Sequence, residues 1–152
     1  MFHKVNIEKG IFTMKLNEEL NEIMKDRFSK DTVIALATIY QGIPYVRNVN
    51  AYYENGAFYC ITHACSHKMK HIEEEPMVAI AREWFTAHGK GINLGYFGNR
   101  ENQEIADKLK VVFREWIDNG HNDFEDRNTI ILCIRLTDGV LLSHGTAYDI
   151  EF

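Results

Sequence analysis

Arg47, Ser66 and Lys68 have the side chains and the spacing expected of an anion-binding site. Arg47 lies in the run PYVRNVNAYY, where the alternation of a β-strand places it in one row with Tyr45 and Val49. A guanidinium in a mostly apolar row is costly unless an anion meets it, and its fixed fork suits a phosphate or a carboxylate. For Arg47 alone, a structural ion pair with one of the 22 acidic residues is the alternative.

Ser66 is a good N-cap, so a helix is expected to begin after it with Lys68 in its first turn. A lysine in that position opposes the positive end of the helix dipole. A bound anion that offsets the repulsion is one explanation, and a solvated lysine is the other. Together, the strand arginine, the helix lysine and the free N–H groups of a helix N-terminus favour one shared anion.

A predicted β-hairpin positions these residues. Asn55-Gly56, between aromatic and β-branched runs, predicts a tight turn that joins a strand over Pro44–Tyr53 to an antiparallel strand over Ala57–Thr62. The Ser66 helix follows at once, and Pro76 precedes a further apolar strand. The two cations are therefore expected to approach each other where the hairpin meets the helix.

The rest of the chain predicts mainly β structure with accessory helices. Apolar stripes predict helices over Asn17–Phe28 and Asn102–Asp118. Strands are expected over Thr32–Tyr40, Met77–Glu83, Trp84–Leu94, and in a hairpin of Thr129–Leu136 and Val140–Tyr148 through Asp138-Gly139. Six to seven antiparallel strands hide their edges most economically in a barrel, with Gly89 and Gly91 marking a bend. A barrel this small is filled by side chains, so a cofactor must lie outside it.

Several short motifs occur in a fixed order between Thr32 and about Leu94: R-N-V on one strand, I-T at the end of the next, S-x-K at a helix start, and E-x-P before another strand. This order resembles the FMN-binding split-barrel family typified by pyridoxamine 5′-phosphate oxidase. The resemblance implies an antiparallel, six- to seven-stranded split β-barrel that forms a homodimer, with FMN bound in the groove between the subunits.

The resemblance also implies which residues bind the cofactor. Phosphate ligands would be Arg47, Ser66 and Lys68, while Asn48, Val49 and Asn50 would line the flavin ring, and Ile61 and Thr62 would lie beside the ribityl chain and phosphate. His67 stands where the oxidase usually has a second basic residue. Trp84 lies near a position from which family members reach the flavin of the second subunit, and a sheet-edge aromatic is the alternative for it.

The function implied by the resemblance is an FMN-dependent oxidoreductase with a reduced nicotinamide or similar donor and a small acceptor. No catalytic residue is named, because the flavin itself carries out the electron transfer. Pyridoxamine 5′-phosphate oxidation is not expected, because the sequence after His144 has none of the Arg and His residues that hold that substrate's phosphate. The chain more closely resembles short relatives that are likened to nitroimidazole reductases.

A flavin- or haem-binding carrier or sensor without turnover is the alternative function. Haem is suggested by His63, His67 and His71, which offer axial ligands. A metal site formed by Cys65 with these histidines is the weaker alternative, because the spacing matches no zinc motif. His71 is otherwise expected to be a half-buried surface histidine.

The composition limits the number of domains, the kinds of partner and the location that are expected. The 152 residues, 45% hydrophobic, are expected to form one domain over 1–152, with 1–15 as a candidate N-terminal arm. A formal net charge of −5 argues against nucleic acid and anionic membranes as partners. An odd number of cysteines and the lack of a long apolar run favour the cytoplasm.

Overall fold

The computed structural model describes residues 4–6 and 11–152. Within these residues the chain forms three α-helices and nine strands. The helices are α1 (Glu18–Phe28), α2 (His67–Glu74) and α3 (Gln103–Val112), the last preceded by a 3₁₀ turn over Arg100–Asn102. The strands are β1 (Lys4–Asn6), β2 (Ile11–Lys15), β3 (Thr32–Tyr40), β4 (Ile43–Glu54), β5 (Ala57–His63), β6 (Met77–Arg82), β7 (Phe85–Tyr96), β8 (Thr129–Ser143) and β9 (Thr146–Glu151).

Six of these strands close into an antiparallel barrel. The hydrogen-bonded order is β8-β5-β4-β3-β6-β7, and β7 pairs back onto β8 to complete the circle. Strands β9, β2 and β1 continue the same sheet outside the barrel, with β2 parallel to β9. Closure leaves the barrel strands without free edges, as the mainly β, antiparallel barrel prediction requires. That prediction is confirmed.

The N-terminal segment 1–15, the candidate arm, is partly described. Its described residues form β1 and β2, and Met14 is buried in the barrel core. The remainder of the segment lies outside the described residues. At this sheet edge, β2 is held by its ladder to β9, in which Met14 pairs with Ile150.

The predicted hairpin between β4 and β5 is confirmed. Asn55 and Gly56 both have positive φ, of 45° and 84°, which is the backbone of the tight turn that matches the twist of two antiparallel strands. The hydroxyl of Tyr53 also accepts a hydrogen bond of 2.9 Å from the N–H of Gly56. The turn fixes the register of β4, and so fixes where Arg47 lies.

The predicted hairpin through Asp138-Gly139 is wrong. β8 runs unbroken from Thr129 to Ser143, and the chain reverses instead at His144-Gly145, where φ is 50° and 77°. Gly139 serves a different purpose, because a Cβ there would lie 2.9 Å from the carbonyl oxygen of Thr86 on the neighbouring strand. The Asp-Gly pair therefore marks a close approach of two strands and not a turn.

The third helix ends six residues earlier than the sequence indicates. α3 stops at Val112, and turns with hydrogen bonds to the third preceding residue follow, as from Arg114 to Val111 and from Trp116 to Phe113. The apolar stripe still packs inward, because Phe113 and Ile117 are both buried. The periodicity predicted which side chains are buried, and it did not predict that the last turns would depart from α geometry.

Two apolar clusters lie on opposite faces of β5 and β8. Phe58 and Leu132 belong to the cluster that fills the barrel, which also includes Met69 and Ile72 of α2. Ile131 faces the other way and belongs to the cluster beneath α3. α2 is thereby packed against the barrel by its apolar face, over β3 and β7. No helix within the described ranges is long and apolar enough to cross a membrane.

Gly89, at the bulge in β7, is expected to tolerate no side chain. A Cβ would lie 2.7 Å from the carbonyl oxygen of Arg135 on β8, so Gly89→Ala must push two paired strands apart. We expect a loss of roughly 1–3 kcal/mol in the free energy of unfolding, measured by chemical denaturation. Lys90→Ala, at the next residue, is the control, and equal stability of the two variants would contradict the close packing.

Candidate functional site

Arg47 lies on β4 at the end of the barrel that α2 covers. One guanidinium nitrogen donates to the carbonyl oxygen of Leu36 at 3.2 Å and to the hydroxyl of Thr38 at 2.8 Å. Among the described residues, no carboxylate lies within ion-pair distance of Arg47. Partial burial lowers the pKa of Arg47. The structural ion pair that was the alternative for this residue is thus not formed, and the positive charge has only neutral partners.

A short relay of hydrogen bonds orients Arg47. Because a guanidinium can only donate, the Thr38 hydroxyl accepts from Arg47 and its own hydrogen is free for Nδ1 of His71, 2.8 Å away. If the hydroxyl donates to Nδ1, His71 is neutral with its proton on Nε2, and if Nδ1 carries the proton, the second lone pair of the hydroxyl accepts it. In either case the hydroxyl of Thr38 links the arginine to His71.

His71 is buried, which corrects the expectation of a half-buried surface histidine. Its relative exposure is 6%, and its ring stacks on Tyr40 with centroids 4.8 Å apart and lies at 4.7 Å from the ring of Tyr45. Burial first, and then the charge of Arg47, lower the pKa of His71 below its usual 6.5. His67 and Lys70 act in the same direction, while Glu74 opposes them.

Lys68 is the second cation at this end of the barrel. Its ammonium donates to the hydroxyl of Thr62 at 2.8 Å and, within the described part of the chain, makes no ion pair. Burial is the main cause that lowers the pKa of Lys68, and the positive charge of Arg47 is the second. The two cations are thus close enough to repel each other.

Ser66 begins α2 as predicted, although its side chain does not cap the helix. The backbone has the extended conformation of an N-cap, but no side-chain cap hydrogen bond forms. Its Oγ is buried and has no partner among the described residues, and the first turn of α2 holds no acidic residue. A buried hydroxyl without a partner is costly. Phosphate oxygens would accept from this hydroxyl, from the two cations and from the N–H groups of the helix start, so these donors suit a phosphate.

The other predicted site residues lie around this cluster or on a different face. Val49 follows Arg47 in the inward row and packs against the barrel core, and the exposed His67 is the first residue of α2. Ile61 packs in the cluster beneath α3, across the sheet from Thr62. Only its main chain can therefore lie near the cations.

Asn48, Asn50 and Trp84 are on the outer side of the barrel. Asn48 and Trp84 line the same cavity, of 460 Å³, while the side-chain amide of Asn50 donates to Asp31 at 2.9 Å. Trp84 lies in the turn between β6 and β7, with φ of 60°, and is 72% exposed. The structure therefore brings Arg47 and Lys68 together and places Asn48 and Trp84 in a separate groove.

Thr38, Tyr40 and Tyr45 were not identified from the sequence, and His71 was identified only as a candidate haem ligand or a surface histidine. Thr38 carried a usable signal, because it is a polar residue in an inward position of an apolar strand. Its partner could not be identified without the β3–β4 register, in which Leu36 pairs with Arg47 and Thr38 with Tyr45.

The histidines near α2 do not converge. Nε2 of His63 lies 2.9 Å from the Asp126 carboxylate, and its Nδ1 accepts from the N–H of Cys65, so both ring nitrogens are engaged. His71 is enclosed by aromatic rings, and His67 is exposed. Over residues 4–6 and 11–152, no group of three or more His, Cys, Asp or Glu side chains could hold a metal ion.

Comparisons with known proteins place the fold. No protein-family model matches the chain, and no curated protein matches its sequence. The structure is similar to that of a FAD-binding protein from Mesorhizobium loti, with a TM-score of 0.62 and 16% identity over 82% of this chain and 92% of that one.

Two further solved structures are similar. A NimC/NimA family protein from Clostridium acetobutylicum has a TM-score of 0.62 and 18% identity, covering 86% of this chain and 91% of that one. A candidate pyridoxamine 5′-phosphate oxidase from Listeria innocua has a TM-score of 0.59 and 11% identity, covering 80% of this chain and 96% of that one. At these identities the likeness is one of fold, and it confirms the split-barrel fold that the sequence resemblance implied.

The buried neutral state of His71 predicts a pH-dependent stability. Because the folded pKa lies below 6.5, the unfolded chain takes up this proton first as the pH falls. The contribution of His71 to stability is therefore present above pH 6.5 and is lost as the pH falls through 6.5 toward the lower folded value. Chemical denaturation between about pH 8 and pH 5 should show a smaller decrease in unfolding free energy for His71→Gln than for the unchanged protein.

His121→Gln, in an exposed loop, is the control for this series, and it should leave the pH dependence of the unchanged protein in place. If the unfolding free energy had the same slope against pH in His71→Gln and in His121→Gln, His71 would not be held in its neutral form.

Proposed function

We propose that this chain binds FMN and acts as an FMN-dependent oxidoreductase, with a reduced nicotinamide or a similar donor and a small acceptor. The observation that carries the proposal is the cluster of Arg47, Lys68 and Ser66. Among the described residues, the two partly desolvated cations have no carboxylate partner, and the buried hydroxyl of Ser66 at the start of α2 has no hydrogen-bond partner. A terminal phosphate, with its negative charge and several acceptor oxygens, would satisfy all three.

The donors are matched to a phosphate in different ways. Arg47 is held by Leu36 and Thr38 through a single guanidinium nitrogen, so the rest of its fork remains for a second acceptor. Lys68 supplies a point charge, and its bond to Thr62 sets the direction of its side chain. The start of α2 adds N–H groups without intrahelical partners.

The proposed flavin site extends from this phosphate cluster toward the groove. Asn48, the main chain of Val49 and Asn50 follow Arg47 on β4 and would line the ring, and the main chain of Ile61 and Thr62 would lie beside the ribityl chain. His67, the first residue of α2, would lie at the rim of the phosphate cluster. Trp84, from the partner subunit, would reach the ring. When bound, the flavin would supply hydride acceptance and electron transfer, while these residues bind and orient it.

A homodimer completes the proposal. The outer face of β3, β4 and β6 exposes Val33, Ile39, Val46 and Met77, with small Ala35, Ala37 and Ala79 between them. Val46 is 70% exposed. A contiguous apolar sheet face of this kind is typical of an interface, and a second copy of the chain would cover it and supply the missing wall of the cofactor groove.

The remaining features agree with a reducing, cytoplasmic setting, which we retain as a proposal. Cys60, Cys65 and Cys133 are all free thiols. Pyridoxamine 5′-phosphate oxidation is not proposed. A haem carrier is less favoured, because His63 is bonded at both ring nitrogens and His71 is enclosed by Tyr40.

Removal of both cations should abolish FMN binding. Arg47→Ala combined with Lys68→Ala removes two charge-assisted contacts, each worth roughly 1.5–3 kcal/mol, so FMN affinity should fall at least a hundredfold. Quenching of FMN fluorescence on titration with protein measures the affinity.

The matched control removes two positive charges from α3 and the turn after it, with Lys110→Ala and Arg114→Ala. Both residues lie outside the proposed site and face a different cavity. If the Arg47 and Lys68 double variant remained folded and bound FMN as tightly as this control, the phosphate site would be wrong.

Disruption of the apolar sheet face should produce monomers. Val46→Glu places a charge in the centre of the proposed interface, and sedimentation velocity should show a shift from dimer to monomer together with weaker FMN binding. Val111→Glu, at a similarly exposed valine on α3, is the control and should remain dimeric. A protein that is monomeric before any substitution and still binds FMN stoichiometrically would contradict the shared groove.

A further inference from the structure

The turn between β6 and β7 separates two hollows on the outer surface of the barrel. One, of 460 Å³, is the cavity that Asn48 lines, and it is mostly apolar. The other, of 420 Å³, lies against the end of α1 and includes Arg27. Arg82, Glu83 and Trp84 line both hollows, so a molecule that crosses the turn would contact both.

Arg27 has a guanidinium nitrogen that is buried without a partner. Its NH2 group donates to the carbonyl oxygen of Leu142 at 2.8 Å, but its NH1 group makes no hydrogen bond within the described residues. Across the same residues it makes no ion pair. A buried donor without an acceptor is costly, and an arginine fork suits the two oxygens of a carboxylate. The position of Arg27 is thus fixed, while half of its binding capacity is unused.

The acidic residues of the second hollow do not supply that acceptor. The carboxylate of Asp31 accepts from the amide of Asn50 and from the indole N–H of Trp116. Glu83 lies 3.7 Å from Arg82, and both side chains are exposed. Asp26 also lines the hollow. Acidic and basic residues are therefore mixed here, and recognition of an anion depends on directed hydrogen bonds and not on a net positive charge.

Trp84 is held in an unfavourable backbone conformation with its indole exposed. A φ of 60° is uncommon for a bulky residue and is stabilised only by its surroundings. The carbonyl oxygen of Trp84 accepts from the N–H of Leu142 at 2.8 Å, and the carbonyl of Leu142 accepts from Arg27. Leu142 of β8 thus links the main chain of Trp84 to the guanidinium of Arg27, which places the two residues next to each other.

We propose that these two hollows bind a planar, conjugated molecule that carries a carboxylate. Its ring would lie against the indole of Trp84, and its carboxylate would accept hydrogen bonds from Arg27 with Arg82 beside it. As the substrate site of a flavin enzyme, it rests on the proposed function, because Asn48 joins the first hollow to the groove in which the flavin ring would lie. As a binding site, it depends on none of Arg47, Ser66 and Lys68.

The test compares two planar probes of nearly equal size, 4-nitrobenzoate and 4-nitrobenzamide, by isothermal titration calorimetry with the full chain as purified. The carboxylate should bind roughly tenfold or more tightly than the amide, because only the carboxylate offers two charged acceptors to the fork. Arg27→Gln should remove this preference without changing the affinity for 4-nitrobenzamide. Trp84→Leu should weaken both probes.

Arg114→Gln is the matched control, because Arg114 lies just after the end of α3, as Arg27 lies in the last turn of α1, and it likewise donates to a backbone carbonyl, that of Val111. It should retain the preference of the unchanged protein. Arg27→Lys keeps the charge and loses the fork, so it should lose most of the preference even if the Gln variant does not fold. Equal affinity of the unchanged protein for the two probes would overturn the site, and so would a preference that survives in Arg27→Lys.

The titrations with the two nitro compounds and with FMN distinguish a failure of this site from a failure of the proposed function. If 4-nitrobenzoate binds through Arg27 but FMN is not bound at all, the oxidoreductase proposal fails and the carboxylate site stands. If FMN binds through Arg47 and Lys68 but the two nitro compounds bind equally, the carboxylate site fails alone.

Discussion

Positive charge without a carboxylate partner is the constraint on which the proposed site depends. Arg47 and Lys68 are partly removed from water at the end of the barrel that α2 covers, and each is held by a threonine hydroxyl. Hydroxyl groups orient the cations without neutralising them, so the repulsion between them persists. Such an arrangement is costly for the folded chain unless an anion is bound, and the buried Oγ of Ser66 adds a third group that requires an acceptor.

The fold explains why these residues are outside the barrel core yet rigid. The barrel interior is filled by side chains such as Leu36 and Phe58, which leaves no room for a cofactor. α2 packs on the barrel through Met69 and Ile72, and this packing holds Lys68 near Arg47. Burial of His71 among aromatic rings lowers its pKa, and the hydrogen bond between His71 and Thr38 holds the hydroxyl that orients Arg47. The direction of the arginine therefore depends on packing as well as on charge.

The sequence predicted those features that depend on neighbours in the chain. Asn55-Gly56 was identified as a turn because both residues adopt positive φ there, which is the property that the sequence signal reports. Asp138-Gly139 carries a similar signal but lies in a strand, because Gly139 is required for the approach of Thr86. A glycine needed for conformation and a glycine needed for space look alike in a sequence.

The site was predicted in part for the same reason. Arg47, Ser66 and Lys68 could be identified from local patterns and from a resemblance in their order. The contacts that position them could not, because Thr38 meets Arg47 and His71 only through the register of β3 on β4 and the packing of α2. Arg27 was not identified either, since its contact with Leu142 joins residues 115 positions apart.

The proposed site binds a flavin through its phosphate. The most direct test compares the affinity of the protein for FMN with its affinity for riboflavin, which lacks that phosphate. Two cations and a buried hydroxyl acting on one phosphate predict that FMN binds at least a hundredfold more tightly, since each charge-assisted hydrogen bond contributes roughly 1.5–3 kcal/mol. Inorganic phosphate should weaken FMN binding by competition. Equal affinities for FMN and riboflavin would contradict the account.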